Sequence, residues 1–294
     1  MKILVTGSTG FIGRHVVDAL LRIEDLDITV TASSSSRLNK YYSGLNVQVL
    51  PFNLYKENQG INLFKLFGAP DRVIHLAWRG LPNYGNTFHM VENLPDEVRF
   101  IKNLIEGGLK DITITGTCFE YGNTEGELLE NMSCAPTNFY ALAKDTLRKT
   151  LEVYQLQKPF NLKWVRLFYL YGRGQNPSSL ISSLNNAISK NDLVFNMSAG
   201  MQLRDYLEVE VAAKNLVDIA LQSAINGIIN NCSCNPVRLI DFVNDYILER
   251  KANIKLNPGY YPYSMFEPME FWGNNNKLKS IKADYGSFSV SLDG

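Results

Sequence analysis

The sequence predicts an α/β protein, a doubly wound parallel sheet joined to a smaller, discontinuous C-terminal lobe. Three observations carry the prediction. Short apolar runs alternate with amphipathic segments through the first 115 residues, the order of elements that strand-helix-strand units impose on a parallel sheet. A glycine-rich turn follows the first run and opens a helix. Beyond residue 166 the texture changes to segments rich in Asn, Ser, Pro and Tyr, which suit loops over a second lobe.

Taken in order, residues 3–6 form the first strand and 11–22 the first helix. Strands follow at 28–31, 47–52 and 73–76, then a helix at 97–106 and a strand at 112–115. The near-continuous apolarity of Val73-Ile74-His75-Leu76-Ala77 is what a strand covered by helices on both faces requires. Trp164-Val165-Arg166-Leu167-Phe168 is the last such run. We therefore place residues 1–166 in the sheet domain and 167–294 mainly in the smaller lobe, with part of that segment returning to the sheet. Asn257-Pro258-Gly259-Tyr260-Tyr261-Pro262-Tyr263 is the clearest loop, and no repeat of 20–50 residues occurs.

Twenty-nine basic residues balance 29 acidic ones, so no global positive field draws the chain to nucleic acid or an anionic membrane. No apolar run approaches the roughly 20 residues that span a bilayer. A strand begins at Met1-Lys2-Ile3, which leaves no room for a leader, and a cytoplasmic protein is expected. Cys118, Cys134, Cys232 and Cys234 lack the paired spacing of a structural zinc site, and no metal is expected. His15, His75 and His89 are read as satisfied structural histidines.

The turn Thr6-Gly7-Ser8-Thr9-Gly10-Phe11-Ile12-Gly13 places Gly7, Gly10 and Gly13 as G-x-x-G-x-x-G between a strand and a helix. A side chain at Gly7 or Gly10 would hold the backbone away from a pyrophosphate, while the helix N-terminus offers free N–H groups to the anion. The second strand runs into Thr31-Ala32-Ser33-Ser34-Ser35-Ser36-Arg37, without the carboxylate that hydrogen-bonds the ribose hydroxyl of NAD. The hydroxyls of Ser33 and Ser34 with the guanidinium of Arg37 suit a 2′-phosphate. NADP(H) is favoured over NAD(H), and a solvated serine loop with Arg37 as a surface cation stays open.

Tyr140-Ala141-Leu142-Ala143-Lys144 puts a phenol and an ammonium on one helix face. A second Y-x-x-x-K occurs at Tyr154 and Lys158, so spacing alone does not choose. Tyr140 lies 23 residues beyond Thr117, a hydroxyl at the end of the 112–115 strand, whereas Lys158 abuts Pro159 at a helix end. We read Tyr154 and Lys158 as surface residues. Lys144 is expected to pull the Tyr140 pKa down from about 10 towards neutrality, making it an acid/base, with Thr117 orienting a carbonyl oxygen. With a nicotinamide these residues describe hydride transfer at a carbonyl or carbinol carbon.

With these residues the chain resembles the extended short-chain dehydrogenase/reductase family, the NAD-dependent epimerase/dehydratase enzymes acting on nucleotide-activated sugars. The likeness rests on Gly7/Gly10/Gly13, Val73 through Ala77, Asn93, Thr117 through Gly122, Pro136 through Tyr140, Lys144, Arg166 through Gly172 and Arg204-Asp205-Tyr206. It implies a Rossmann sheet with a substrate lobe, Tyr140 as acid/base, Lys144 on the nicotinamide ribose and Thr117 on the substrate oxygen. It also implies dinucleotide contacts from Thr9 through Ile12, from Asn53 and Leu54, from Leu76, Ala77 and Trp78, and from Asn93. Arg204 would meet the substrate's phosphates, with a buried ion pair to Asp205 as the structural alternative. Arg79, Asn83 and Tyr84, just past a strand's carboxyl end, and Cys118 and Phe119 beside Thr117, are candidate sugar contacts.

Three chemistries lie within that family. Dehydratases follow the catalytic Thr with an acidic pair, but Cys118-Phe119 stand there, and Glu120 occupies a slot usually apolar. The missing acidic residue after the second strand favours a reductase that consumes NADPH over an epimerase that keeps NAD⁺. Residues 75–84, 115–122 and Glu267-Pro268-Met269-Glu270-Phe271-Trp272-Gly273 resemble a narrower group, the 4-keto-6-deoxyhexose reductases that form dTDP-fucose or CDP-abequose. The expected reaction is reduction of a nucleotide-linked 4-keto-6-deoxyhexose at C4, Tyr140 protonating the oxyanion and Thr117 stabilising it. The alternatives are a 4-epimerase and, more remotely, a non-catalytic NADP-sensing protein. Residues 91–106 and 140–154 resemble helices that pair across a two-fold axis in the family, which implies a homodimer.

Overall fold

Aliphatic and β-branched residues bury four of the five side chains in each of the first two strands, and this drives them into the middle of a sheet. The computed structural model describes residues 1–56, 60–263 and 268–281. In chain order the first half contains β1 (Lys2–Thr6), α1 (Phe11–Leu20), β2 (Asp27–Thr31), α2 (Ser35–Tyr42), β3 (Gln48–Val49), α3 (Leu63–Leu66), β4 (Arg72–His75), α4 (Leu94–Gly107) and β5 (Asp111–Thr117). It continues through β6 (Gly126–Leu128), α5 (Phe139–Gln157), β7 (Asn161–Leu167), β8 (Tyr169–Tyr171), α6 (Leu180–Ser189), β9 (Val194–Asn196) and β10 (Leu203–Glu208). The last described part holds α7 (Val209–Leu221), β11 (Gly227–Asn231), β12 (Pro236–Arg238), α8 (Leu239–Glu249), β13 (Lys255–Asn257), β14 (Phe271–Gly273) and α9 (Asn276–Lys279). Glu267, which opened one of the subgroup segments, lies outside the described residues.

Seven parallel strands form the central sheet in the order β11-β7-β5-β4-β1-β2-β3. The strand order reverses at β1, so the carboxyl ends of β1 and β4 open a crevice where ligands bind in such sheets. One face is packed by α1 and α7 around Val16, Val17, Leu20, Leu216 and Val217, the other by α4 and α5 around Phe100, Ile101, Leu104, Leu147 and Leu151. Both α7 and β11 come from the far side of residue 166, and β11 pairs with β7 as a sheet edge. Lys163 and Arg72 both donate to the carbonyls of Ala220 and Gln222 at the end of α7, and Asp111 accepts from both cations. Two cations at a helix C-terminus suit its negative pole.

The smaller lobe has its own core of Ile181, Leu184, Phe195, Leu239, Val243 and Ile247 between α6 and α8. Its strands form small separate sheets, β12-β10-β8 and β13-β9, and β14 pairs with β6. Among the described residues no helix is long and apolar enough to cross a membrane.

Several boundaries differ from expectation for local reasons. The 47–52 strand narrows to Gln48–Val49, yet Leu50 and Phe52 still donate to Val30 and Ala32; Pro51 between them has no N–H to give. The helix expected at 97–106 starts at Leu94, with Pro95 in its first turn, and the strand at 112–115 continues through Thr117.

Candidate active site

Each wall of the crevice follows from the turn chemistry of the strand ends. Gly7 adopts φ +66°, and a side chain there would lie 2.6 Å from the backbone nitrogen of Ala77 at the end of β4. Only glycine lets these strand ends touch. Gly13 lets α1 pack onto the Gly7-Ser8 backbone. Gly10 is the extended cap of α1, with no side chain satisfying the first N–H groups and no acid in the first turn, so an anion fits there. Below the turn, His75 bridges Thr6 Oγ1 at 2.8 Å and Glu97 at 2.5 Å, and Tyr55 donates to the other Glu97 oxygen at 2.9 Å. Gly7→Ala is expected to abolish dinucleotide binding in a fluorescence titration, because both the φ and the contact with Ala77 forbid the methyl.

The groove that this turn floors is lined by Thr6, Gly7, Thr9 and Gly10, by Ser33 and Arg37 beyond β2, by Asn53 and Leu54, and by Leu76, Ala77 and Trp78. Phe11, Ile12 and Gly13 line its continuation into a cleft of about 850 Å³ that ends at Thr117 and Tyr140. The exposed Arg37 side chain donates to Thr9 O at 3.2 Å, which brings its guanidinium to the groove edge.

Three expected contacts are placed elsewhere. Ser34 caps α2, its hydroxyl accepting from Arg37 N at 3.3 Å, because a serine before a helix satisfies a free N–H. Asn93 is fully buried and ties down the loop after β4, donating to Arg79 O and accepting from Arg79 Nε. Arg79, expected against the sugar, lines the groove of the glycine turn; its guanidinium lies over the Tyr55 ring at 4.5 Å and pairs with Glu92 at 2.8 Å. Both acceptors for that guanidinium lie on the helical turn after the loop, and this pulls the side chain away from the cleft.

Thr117 ends β5 inside the cleft, and Tyr140 stands in the first turn of α5, whose cap Asn138 accepts from Ala141 N. Tyr140 N donates to Tyr84 O at 3.0 Å, which fixes the loop after β4 beside the phenol. The Thr117 and Tyr140 hydroxyls share a hydrogen bond. Lys144 is buried, its ammonium donating to Thr115 O at 2.9 Å beneath the Trp78 ring, 4.1 Å away. Tyr154 and Lys158, by contrast, reach out to Glu106 on α4.

The expectation that Lys144 draws the phenol towards neutrality is overturned. Burial pushes Tyr140 above the usual tyrosine value, Tyr84, Glu120 and Cys118 add to this, and only the Thr117 hydroxyl opposes. Burial acts on Lys144 in the reverse sense and lowers it to about 8, against Glu97 and Glu120, which raise it. The site therefore holds a protonated phenol, an acid, next to a lysine that is charged only below that pH. A tyrosinate forming at Tyr140 needs the ammonium, so kcat/KM of any reaction in which Tyr140 gives up its proton is expected to be level on the acid side and to fall as pH rises through about 8, when Lys144 loses its proton. A profile that stays level well above that pH contradicts this.

Glu120 is fully buried beneath Thr117 and faces away from the cleft. Its carboxylate accepts from Thr117 N at 2.9 Å, from the Trp164 indole at 3.0 Å and from Arg166 Nε at 2.7 Å. It is thus committed to holding Thr117 in place and has no free oxygen for removing water from a sugar.

Tyr84, Cys118 and Phe119 line the cleft beside Thr117 and Tyr140, while Asn83 offers its carbonyl to His89. Arg204 lies behind Tyr169, its guanidinium over the Phe271 ring at 4.8 Å and donating to the carbonyls of Leu203 and Met269. The Asp205 carboxylate accepts from Ser233 N and Oγ, Cys234 N and Gly273 N. Sequence reasoning missed Leu81, Pro82 and Tyr169, which complete the apolar wall. The available signal was position, since all three follow the carboxyl ends of parallel strands.

The family model described as the NAD dependent epimerase/dehydratase family matches residues 3–231. The chain belongs to this family. Among curated relatives, the dTDP-6-deoxy-L-talose 4-dehydrogenase (NAD(+)) of Aggregatibacter actinomycetemcomitans is 27% identical, the match covering 93% of this chain and 99% of that protein. The GDP-6-deoxy-D-talose 4-dehydrogenase of the same organism is 26% identical, over 79% of this chain and 74% of its own. Among solved structures, a UDP-N-acetylglucosamine 4-epimerase from Methanobrevibacter ruminantium M1, in complex with UDP-N-acetylmuramic acid, superposes with a TM-score of 0.82 at 22% identity. That superposition covers 97% of this chain and 93% of the epimerase, and is a likeness of fold.

Proposed function

We propose that this family member reduces the C4 keto group of a nucleotide-activated 4-keto-6-deoxyhexose, with NADPH as the preferred reductant. The observation that carries the proposal is the wall of the cleft around Tyr140. Leu81, Pro82, Tyr84, Phe119 and Tyr169 present apolar and aromatic surface to the sugar, which suits the methyl group of a 6-deoxy sugar better than a hydroxymethyl or carboxylate. The two 6-deoxytalose 4-dehydrogenases among the relatives act at the same carbon of the same sugar class.

Gly7, Gly10 and the groove residues from Ser33 to Trp78 would hold a reduced nicotinamide dinucleotide, which would supply the hydride for C4. Thr117 and Tyr140 orient the carbonyl oxygen between their hydroxyls; Tyr140 gives up its phenolic proton to that oxygen, and Lys144 stabilises the tyrosinate until solvent returns a proton. The high proton affinity of the buried phenol keeps it in the donor form that reduction needs. The preference for NADPH rests on Ser33 and Arg37 at the groove edge and on the absence of a carboxylate from Thr31 through Arg37. The NAD(+) in the name of the dTDP-sugar relative favours the other dinucleotide. A nucleotide-sugar 4-epimerase is the second reading, favoured by the fold likeness to a 4-epimerase. Val91 before α4 and Leu142, Val153 and Leu156 on α5 are exposed, and we assign this face to a second copy of the chain.

The test follows reduced-dinucleotide absorbance while dTDP-, CDP- and GDP-4-keto-6-deoxyhexoses are added with NADPH or NADH. Stoichiometric NADPH loss with one of them is the expected result. Inversion at C4 of an ordinary sugar nucleotide with no net consumption would establish the epimerase instead. Arg37→Ala is expected to lower kcat/KM for NADPH by about tenfold or more and leave NADH nearly unchanged; an equal loss with both would return Arg37 to a surface role.

A further inference from the structure

Beside the acid/base couple, Trp78, half-buried in the wall of the groove, is tied to the buried His89 and Asn93 behind it. The Trp78 indole N–H donates to His89 Nδ1 at 3.0 Å, and His89 Nε2 meets Asn83 O at 3.0 Å. An indole nitrogen can only donate and a carbonyl can only accept, so the proton of His89 sits on Nε2 and Nδ1 is a lone pair. A second proton on this ring would set an N–H against the indole N–H and against the Asn93 amide, 3.3 Å away. Burial and the nearby Lys144 charge also hold the His89 pKa below its ordinary value. His89 is therefore a fixed neutral acceptor. It is fully buried, and its ring lies 5.5 Å from that of Tyr140.

The indole so anchored stacks on His89, meets the Tyr140 ring edge-on at 5.8 Å and covers the Lys144 ammonium at 4.1 Å. We propose that Trp78 and His89 are positioning residues: His89 holds the indole, and the indole face keeps the buried Lys144 charged and aimed at the Tyr140 side of the cleft. An ammonium in a water-poor site gains from an aromatic face what it loses in hydration. The other groups acting on Lys144 are Thr115 O from β5 and the carboxylates of Glu97 on α4 and Glu120 after β5, with His89, before α4, as the titratable ring that feels its charge. Trp78 is the group among them whose placement depends on a single side-chain hydrogen bond to a histidine.

This inference rests on Tyr140 and Lys144 being the acid/base couple, so its test uses a readout that needs no substrate. The isotope-labelled side-chain NMR resonance of Lys144, assigned by its loss in Lys144→Met, is titrated with pH in the full chain. Trp78→Leu keeps the site apolar and removes the ring, and is expected to lower the Lys144 midpoint by roughly one pH unit. Trp78→Phe, which keeps an aromatic face but has no N–H for His89 to hold, should fall between the parent and Trp78→Leu. His89→Leu frees the indole and should shift the midpoint downwards, and His89→Gln, whose amide oxygen again accepts from the indole, should restore it. Wild-type midpoints in Trp78→Leu and His89→Leu, with only melting temperature reduced, would make the pair ordinary packing and overturn the proposal. If Trp78→Leu does not fold, the two His89 variants decide, and equal midpoints in them overturn it. Kinetic profiles in parallel should show the same displacement in kcat with little change in KM. A correct NMR pattern without keto-sugar reduction would count against the proposed reaction and leave the network standing.

Discussion

Tyr140→Phe is expected to lower turnover by roughly 10²–10⁴-fold while dinucleotide affinity stays near that of the parent. The ring survives the change, so its contacts with Trp78, Tyr84 and His89 remain. What disappears is one oxygen, hydrogen-bonded to Thr117, in a site where burial has kept it protonated. The oxyanion that forms on the sugar would then have Thr117 alone, and water reaches a buried site poorly. Steady-state reduction with the preferred keto sugar reads the first quantity and fluorescence titration with the reduced dinucleotide the second. Retained turnover would remove Tyr140 from the chemistry.

Glu120→Ala is expected to destabilise the fold by about 3–5 kcal/mol, the cost of leaving a buried cation without its partner. Arg166 is 0% exposed and its neighbour in charge would be gone. The Trp164 indole and the Thr117 N–H lose their acceptor at the same time. Glu120→Gln should cost less, since an amide oxygen still accepts, and replacing Glu120 and Arg166 together by Met should cost less than the sum of the single changes. Urea unfolding measures all three. A loss below about 1 kcal/mol for Glu120→Ala would mean that water or another cation compensates the site. Because Glu120 holds Thr117, the folded fraction of the variant should also turn over slowly.

These two residues show where a sequence can and cannot be read. Tyr140 was legible because its chemistry comes with a spacing, four residues to Lys144 on one helix face and 23 back to a hydroxyl at a strand end. Glu120 was legible only negatively, as an acid in an apolar slot. Its partner Arg166 lies 46 residues away on the neighbouring strand, and no local pattern joins them. The same contrast separates Gly7 from Arg79. The glycine answers a backbone constraint set within the turn, whereas the arginine's direction depends on Asn93 and Glu92, which lie a full loop further on.

The sequence by itself determined the parallel sheet, the glycine turn at its switch point and the grouping of Thr117, Tyr140 and Lys144 near one cleft, because period, turn type and helical spacing are properties of neighbours along the chain. Only the tertiary structure decided the direction of the Tyr140 and Lys144 pKa values, the burial of Glu120, the capping role of Ser34 and the apolar wall of the cleft. Each of those is a matter of which distant groups exclude water from, or offer charge to, a given atom, and that is set when the elements pack.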